Sequence, residues 1–264
     1  MFWKTLKMEL VRAMRPSKIF VALALITILL LGSDWNYFVN AIKNAYDEST
    51  GSIDMLLLLM GMDKFKCIIV VILGSVYTGS FCKDDNSHYL RLLLNRVDVT
   101  TYIQCRFLAN FLVTILVSVV AFYIYVFVMS PLMPLISVNG PGPGHYYMDI
   151  VSKHPWLYVG MVGIVFGLVA AACTSIGLLY SAYHADSFVS IAISGLVFFL
   201  ALSYIPYETP FNMLMITSMG SSIGGNAPWP LMYLWTHVYM LSIIGICGVL
   251  FWRRMRWRIE NGYL

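Results

Sequence analysis

The chain has 264 residues, 59% of them hydrophobic and only 11% charged, and its mean hydropathy is +0.76. Soluble domains carry about 25% charged residues, so this chain cannot clothe itself in water-facing surface, and a soluble domain is excluded. The net charge of +4 sits beside apolar runs and reads as a membrane-topology signal, which excludes a nucleic-acid footprint.

Residues 1–15 predict an interfacial helix. Trp3, Leu6 and Leu10 share one side with Phe2, Ala13 and Met14; Lys4, Arg12 and Arg15 face away, and Lys7 flanks the stripe. Such a helix lies in the membrane surface with its cations near anionic lipid, and Pro16 ends it. A signal-peptide leader is the competing reading, disfavoured by the long basic segment and because no A-x-A site follows the apolar run. Six spans follow at about 18–32, 65–81, 107–129, 156–180, 188–205 and 231–252, each judged against a need for about 20 apolar residues. The run Met55–Met62 is too short to cross; it either extends the second span or dips into the outer interface. The expected fold is all-α and single-domain over residues 1–264, with a broken outer segment before the sixth span.

The polar loop 82–106 lies between spans two and three and reads as two short helices with a break. Asp84, Asp85, Asn86 and Ser87 suit a helix start. Leu90, Leu93, Leu94 and Val97 then share one face, while Arg91, Asn95 and Asp98 share another. Asp98 caps a second helix that runs through Tyr102 and Arg106 into span three. The apolar face has to meet lipid, the bundle or a partner protein, and a partner is the expectation.

Orientation follows from the cations. Thirteen of the 17 Lys and Arg residues lie in the N-terminal segment, in the 82–106 loop or after span six, so both termini are placed in the cytoplasm of a multi-pass cell-membrane protein. Of the outer loops, 130–155 carries the irregular run Gly140–Gly144. In the loop 207–230, Thr209-Pro210 reads as a helix start, an apolar half-helix runs from Phe211 to Ile216, and Gly220–Gly225 breaks it. A hairpin dipping into the outer leaflet and a loose surface loop are both open readings there.

Catalytic motifs are missing. There is no GxxxxGK[ST] loop, no HExxH and no metal-ligand spacing, so no catalytic or metal residue is assigned. The GxSxG letters at Gly220–Gly224 lack the strand and helix that a nucleophile elbow needs. His237 is read as the one ionisable group well inside a span; a hydrogen bond across helices is favoured over a functional role. The pair Gly163 and Gly167 marks a close-packing face on span four.

The arrangement resembles the membrane subunit of type-2 ATP-binding-cassette (ABC) transporters over nearly the whole length. The most specific stretch is His88 to Arg106: an apolar helix, a short polar break, then a helix starting near Tyr102-Ile103 with Arg106 before the span. The resemblance implies that two permeases pair, each with a separate ATP-binding subunit. It makes the Asp84–Arg96 helix, with Asp85, His88, Tyr89, Leu90, Arg91, Leu93, Leu94 and Arg96, a coupling element docked in that subunit. It implies that the helix bearing Trp3, Leu6, Leu10, Arg12 and Arg15 braces the bundle. ATP and Mg belong to the partner, so this chain binds no cofactor and is not itself an enzyme. The charge-free spans suit export of an apolar or amphipathic cargo such as a peptide, drug or lipid. The alternative reading is the substrate-binding membrane subunit of a vitamin-type importer. An intramembrane enzyme is disfavoured by the missing carboxylate pairs and Ser–His constellation.

Overall fold

Where no water can satisfy backbone N–H and C=O groups, a chain that crosses must satisfy them within itself, and a helix does so residue by residue. The computed structural model describes residues 2–33, 35–43, 51–61, 65–137, 148–206, 209–218 and 229–261, and every regular element among them is an α-helix. In chain order these are α1 (Phe2–Ala13), α2 (Pro16–Ser33), α3 (Trp35–Ile42), α4 (Ser52–Gly61), α5 (Lys66–Tyr77), α6 (Ser80–Asn86), α7 (Tyr89–Leu94), α8 (Val99–Met129), α9 (Met148–Lys153), α10 (Pro155–Ser181), α11 (Ser187–Tyr204), α12 (Met213–Thr217) and α13 (Trp229–Glu260). Six stretches are long and apolar enough to cross a membrane: Pro16–Ser33, Lys66–Asn86, Val99–Met129, Pro155–Ser181, Ser187–Tyr204 and Pro230–Glu260. They coincide with the six spans expected from the sequence, and they are compatible with a multi-pass membrane protein.

Span four, α10, is the axis of the bundle. It packs against α8, α11 and α13, and most of its side chains are buried. The close approach to α8 depends on two glycines. An added Cβ at Gly163 would stand 2.9 Å from the Val119 Cα, and one at Gly167 would stand 2.8 Å from the Ile115 Cα. Ser118 Oγ donates to the Gly163 carbonyl across the same seam at 3.1 Å. The close-packing face read from the sequence therefore meets span three. Spans one, five and six are far less covered by the rest of the chain.

The second span breaks at Thr78–Gly79 and continues as α6. Asp84, Asp85 and Asn86 are therefore the last residues of a helix, correcting their assignment to a helix start. The next helix, α7, begins after His88, whose φ of 55° turns the chain. Asp98 caps α8 as expected, accepting from the Thr100 and Thr101 N–H groups at 3.0 and 3.3 Å.

At the opposite end, α4 is an inserted half-helix, buried along most of its length and packed on α8 and α12. Asp54 Oδ2 accepts from the Gly51 and Ser137 N–H groups. At the other end of α4, the fully buried Lys66 donates to the Met60 carbonyl, where a cation meets the negative end of the helix, and to Thr217 Oγ1 at 3.1 Å. Thr209-Pro210 belongs to a turn; α12 starts one turn later, where Asn212 Oδ1 accepts from the Leu214 and Met215 N–H groups. Gly140–Gly144 and Gly220–Gly225 lie outside the described residues.

Candidate functional site

Two carboxylates and two guanidinium groups meet where α1 crosses the Arg-rich end of the bundle. The helix α1 turns Thr5, Leu6, Glu9 and Ala13 inward against α8. Glu9 shares that stripe because it stands three residues after Leu6 and four before Ala13. It is fully buried, and its Oε2 accepts from the Tyr77 hydroxyl at 2.5 Å. One turn on, Arg12 donates to both oxygens of Asp84, with Nη1–Oδ2 at 2.6 Å. This fork-on-carboxylate geometry is the strong form of the bond.

Asp84 is 3% exposed and is shared with a second cation. Arg106 Nη1 donates to Asp84 Oδ2 at 2.9 Å. Arg106 is wholly enclosed in α8, and it also donates to the Tyr102 hydroxyl one turn back and to Ser80 Oγ at 2.7 Å. Its guanidinium lies 5.2–5.6 Å from the ring centroids of Tyr102, Phe81 and Tyr77, within reach of cation–π attraction. A charge removed from water needs partners of this kind, because an unpaired one destabilises strongly. Burial on its own would lower the pKa of Arg12, but the hydrogen bond and charge of Asp84 outweigh it and hold that pKa above its ordinary value. Among the described residues, Glu9 Oε1 and Arg106 Nε receive no hydrogen-bond partner.

A second ion pair lies beside the first. Arg258, in the final turns of α13, donates to both oxygens of Asp85 at 3.0 and 2.9 Å. Arg254 stacks over Tyr183 and Trp257 at 4.6 and 4.2 Å. Helices α1, α6, α8 and α13 are thereby tied together at one end of the molecule, and the engaged carboxylates suit a clamp between helices. The short helix α7 lies under this clamp. Its Leu90 and Leu93 pack with Phe81, Ile103, Phe107, Phe251 and Met255.

No family profile, curated protein or solved structure matches this chain.

The expectation that the apolar face of α7 awaits a partner is corrected by this packing: Leu90 and Leu93 are buried and Leu94 is partly so. What α7 leaves outside is Tyr89, Arg91 and Leu92, with His88 and Arg96 flanking it. Tyr89, Leu92 and Arg96 join Lys4 and Met8 of α1 in an open groove of ≈ 530 Å³. Asp85 faces Arg258. On α1, Leu6 is buried and Leu10 partly so, while Trp3 is 78% exposed and Arg15 is exposed. Arg12, expected to face away, turns inward to Asp84. Gly163 and Gly167 seat span four on span three. His237 Nδ1 lies 2.7 Å from the Tyr233 carbonyl on its own helix, and the two rings sit 4.2 Å apart. The favoured bond across helices is therefore a bond within one turn. Nor is His237 the one ionisable group inside the spans, since Lys66, Asp84 and Arg106 are more deeply enclosed.

Sequence reasoning passed over Glu9, Tyr77, Ser80 and Tyr102 as site residues and left Asp84 and Arg106 as loop landmarks. Two signals were available: an acid on the apolar stripe of α1, and an arginine one turn after a tyrosine at the mouth of an otherwise uncharged span.

Proposed function

We propose that this chain is the permease subunit of an ATP-binding-cassette transporter of the type-2 family, seated in the cell membrane with both termini cytoplasmic. A separate ATPase supplies ATP hydrolysis, with Mg held there, and a second permease copy or homologue completes the pathway. Export of an apolar or amphipathic cargo fits spans whose enclosed carboxylate, Asp84, lies at one end and is held by two arginines. The observation that carries this reading is the clamped α6–α7 elbow. It presents Tyr89, Leu92 and Arg96 outward while its other face is fixed by packing to α8 and α13. A push on the exposed face would reach three spans at once, which is what a chain worked from outside the membrane requires.

Affinity purification of the full chain in mild detergent should retain a stoichiometric ATPase. Leu92→Asp should remove it while the permease still inserts and folds, because Leu92 is 65% exposed. Retention of the ATPase by the Leu92→Asp chain, or cargo movement by the purified chain with no second protein, would sink the proposal.

A further inference from the structure

Helices α8 and α13 part along one side of the Arg-rich half of the bundle. Ile103 and Phe107 form the floor of the resulting groove, Gly245 and Gly248 form its far wall, and Thr100 and Trp252 close its end. Its volume is ≈ 450 Å³, and it opens sideways, toward the surroundings of the bundle. The residues are placed by helical register: 100, 103, 104 and 107 fall on one face of α8, and 245, 248, 249, 252 and 256 fall on one face of α13.

The glycines here differ from those of span four. A Cβ at Gly245 would meet nothing within 4 Å, and one at Gly248 would only reach Phe107 at 4.0 Å. They seat no neighbour within this chain and instead leave a hollow. At the groove's closed end the chemistry changes from apolar to polar and basic. The Trp252 indole N–H donates to Thr100 Oγ1 at 3.2 Å. The Arg256 guanidinium lies 5.2 Å over the Trp252 ring. Its pairing with Glu260 at 3.3 Å joins two side chains that are both more than half exposed, an arrangement that contributes little and that another anion can replace.

We propose that this groove holds a resident anionic phospholipid. One acyl chain lies along Phe107, Gly245 and Gly248, and the phosphate sits at the rim with Thr100 and Arg256. Length argues for a lipid tail. From Ile244 to Trp252 the groove runs eight helical residues, about 12 Å. That is close to one leaflet, half of a hydrocarbon core of about 30 Å. A partner helix would call for a seam crossing the whole span. Charge complementarity argues for an anionic headgroup, since Arg253 and Arg256 are exposed in the turn beyond the groove. The tryptophan at the rim suits the level where hydrocarbon meets headgroup. The inference needs the membrane setting alone and stands whether or not the chain is a transport subunit.

The test is native mass spectrometry of the full chain released from nanodiscs of phosphatidylglycerol and phosphatidylcholine in equal parts. The wild-type chain should carry one phosphatidylglycerol in preference to phosphatidylcholine. Gly245→Phe should fill the hollow and remove the bound lipid. Arg256→Gln keeps the hollow and should lower the preference for the anionic lipid about fivefold, the equivalent of about 1 kcal/mol for one cation near the headgroups. Equal retention of the two lipids by the wild-type chain, or unchanged binding in both variants, overturns the proposal. A Gly245→Phe chain that loses a dimer mass in place of a lipid overturns it too, by assigning the groove to a second copy.

Discussion

Asp84 is the residue on which the clamp turns, because it is shared by Arg12 from α1 and Arg106 from α8. Truncating it strands Arg106 with no carboxylate on its Nη1 in a fully enclosed site. Asp84→Ala should therefore destabilise the chain by about 3–5 kcal/mol in reversible detergent or urea unfolding. The paired change Asp84→Leu with Arg106→Met removes both charges and should recover much of that loss, since well-packed apolar replacements of buried pairs are often neutral. If the double variant is no better than Asp84→Ala, the shared charge is not what holds these helices. The other cation behaves differently. Arg12 has its pKa raised above the ordinary arginine value, so its contribution is fully present below that ordinary value and is lost only as pH rises through the still higher folded one. Base should leave α1 docked up to about pH 10, well below the arginine range; limited proteolysis at Lys4 and Lys7 should be no faster at pH 10 than at pH 8 once corrected for protease activity. None of this was legible in the sequence as a site. Glu9 and Arg12 look like ordinary members of a basic surface helix, and nothing in their neighbourhood indicates that their partners lie 68 and 72 residues away.

The elements carry two lessons of opposite kind. The apolar stripe of α7 was legible at 3.6-residue spacing, but periodicity says only that a face is buried and leaves open what it is buried against. Leu93 is 8% exposed within a cluster that includes Phe81 and Phe107. Leu93→Asp should therefore abolish folding and surface expression, whereas Leu92→Asp on the adjacent face should express normally; a correctly folded Leu93→Asp chain would overturn the packing described here. The glycine pair on α10 was legible as a seam without a partner, and the structure supplies span three. Because the nearest hindering atom is the Val119 backbone Cα, at 2.9 Å from an added Cβ, Gly163→Leu cannot be accommodated by a side-chain shift alone. It should lower the unfolding midpoint by an amount equivalent to about 1–3 kcal/mol or more, measured by the loss of a thermal transition in detergent. The end of α6 and the start of α7 were misread for a simple reason. Asp, Asn and Ser ordinarily mark a helix start, here they close one, and the left-handed turn at His88 falls on a residue with no glycine to announce it.

At the scale of the molecule, the helices long and apolar enough to cross a membrane were the most legible property, because such a length is set by the thickness of an apolar layer and each of these runs is uncharged over most of its length. Their arrangement was not legible. Spans four and five have similar mean composition, yet one is the covered axis and the other lies at the edge. Position around the axis depends on which small residues find backbone opposite them. The proposed orientation belongs to this scale. Single cysteines placed at Lys7, Leu92 and Asn261 should all be modified by a membrane-impermeant thiol reagent only after the membrane is opened, and labelling in intact cells would reverse the proposed topology. Span six extends the reach of the bundle. Helix α13 has 32 residues, a length of about 48 Å, longer than a core of about 30 Å, and Arg258 near its end meets Asp85.

The separation between Arg12 and Asp84 also fixes an order of events during biosynthesis. A ribosome completes α1 long before it has made either Asp84 or Arg106, 72 residues and more downstream. Until then Arg12 lacks the carboxylate that holds it in the finished fold. Docking of α1 through Asp84 therefore has to follow synthesis of span two, so released chains truncated before residue 84 should leave α1 open to protease and the full chain should shelter it.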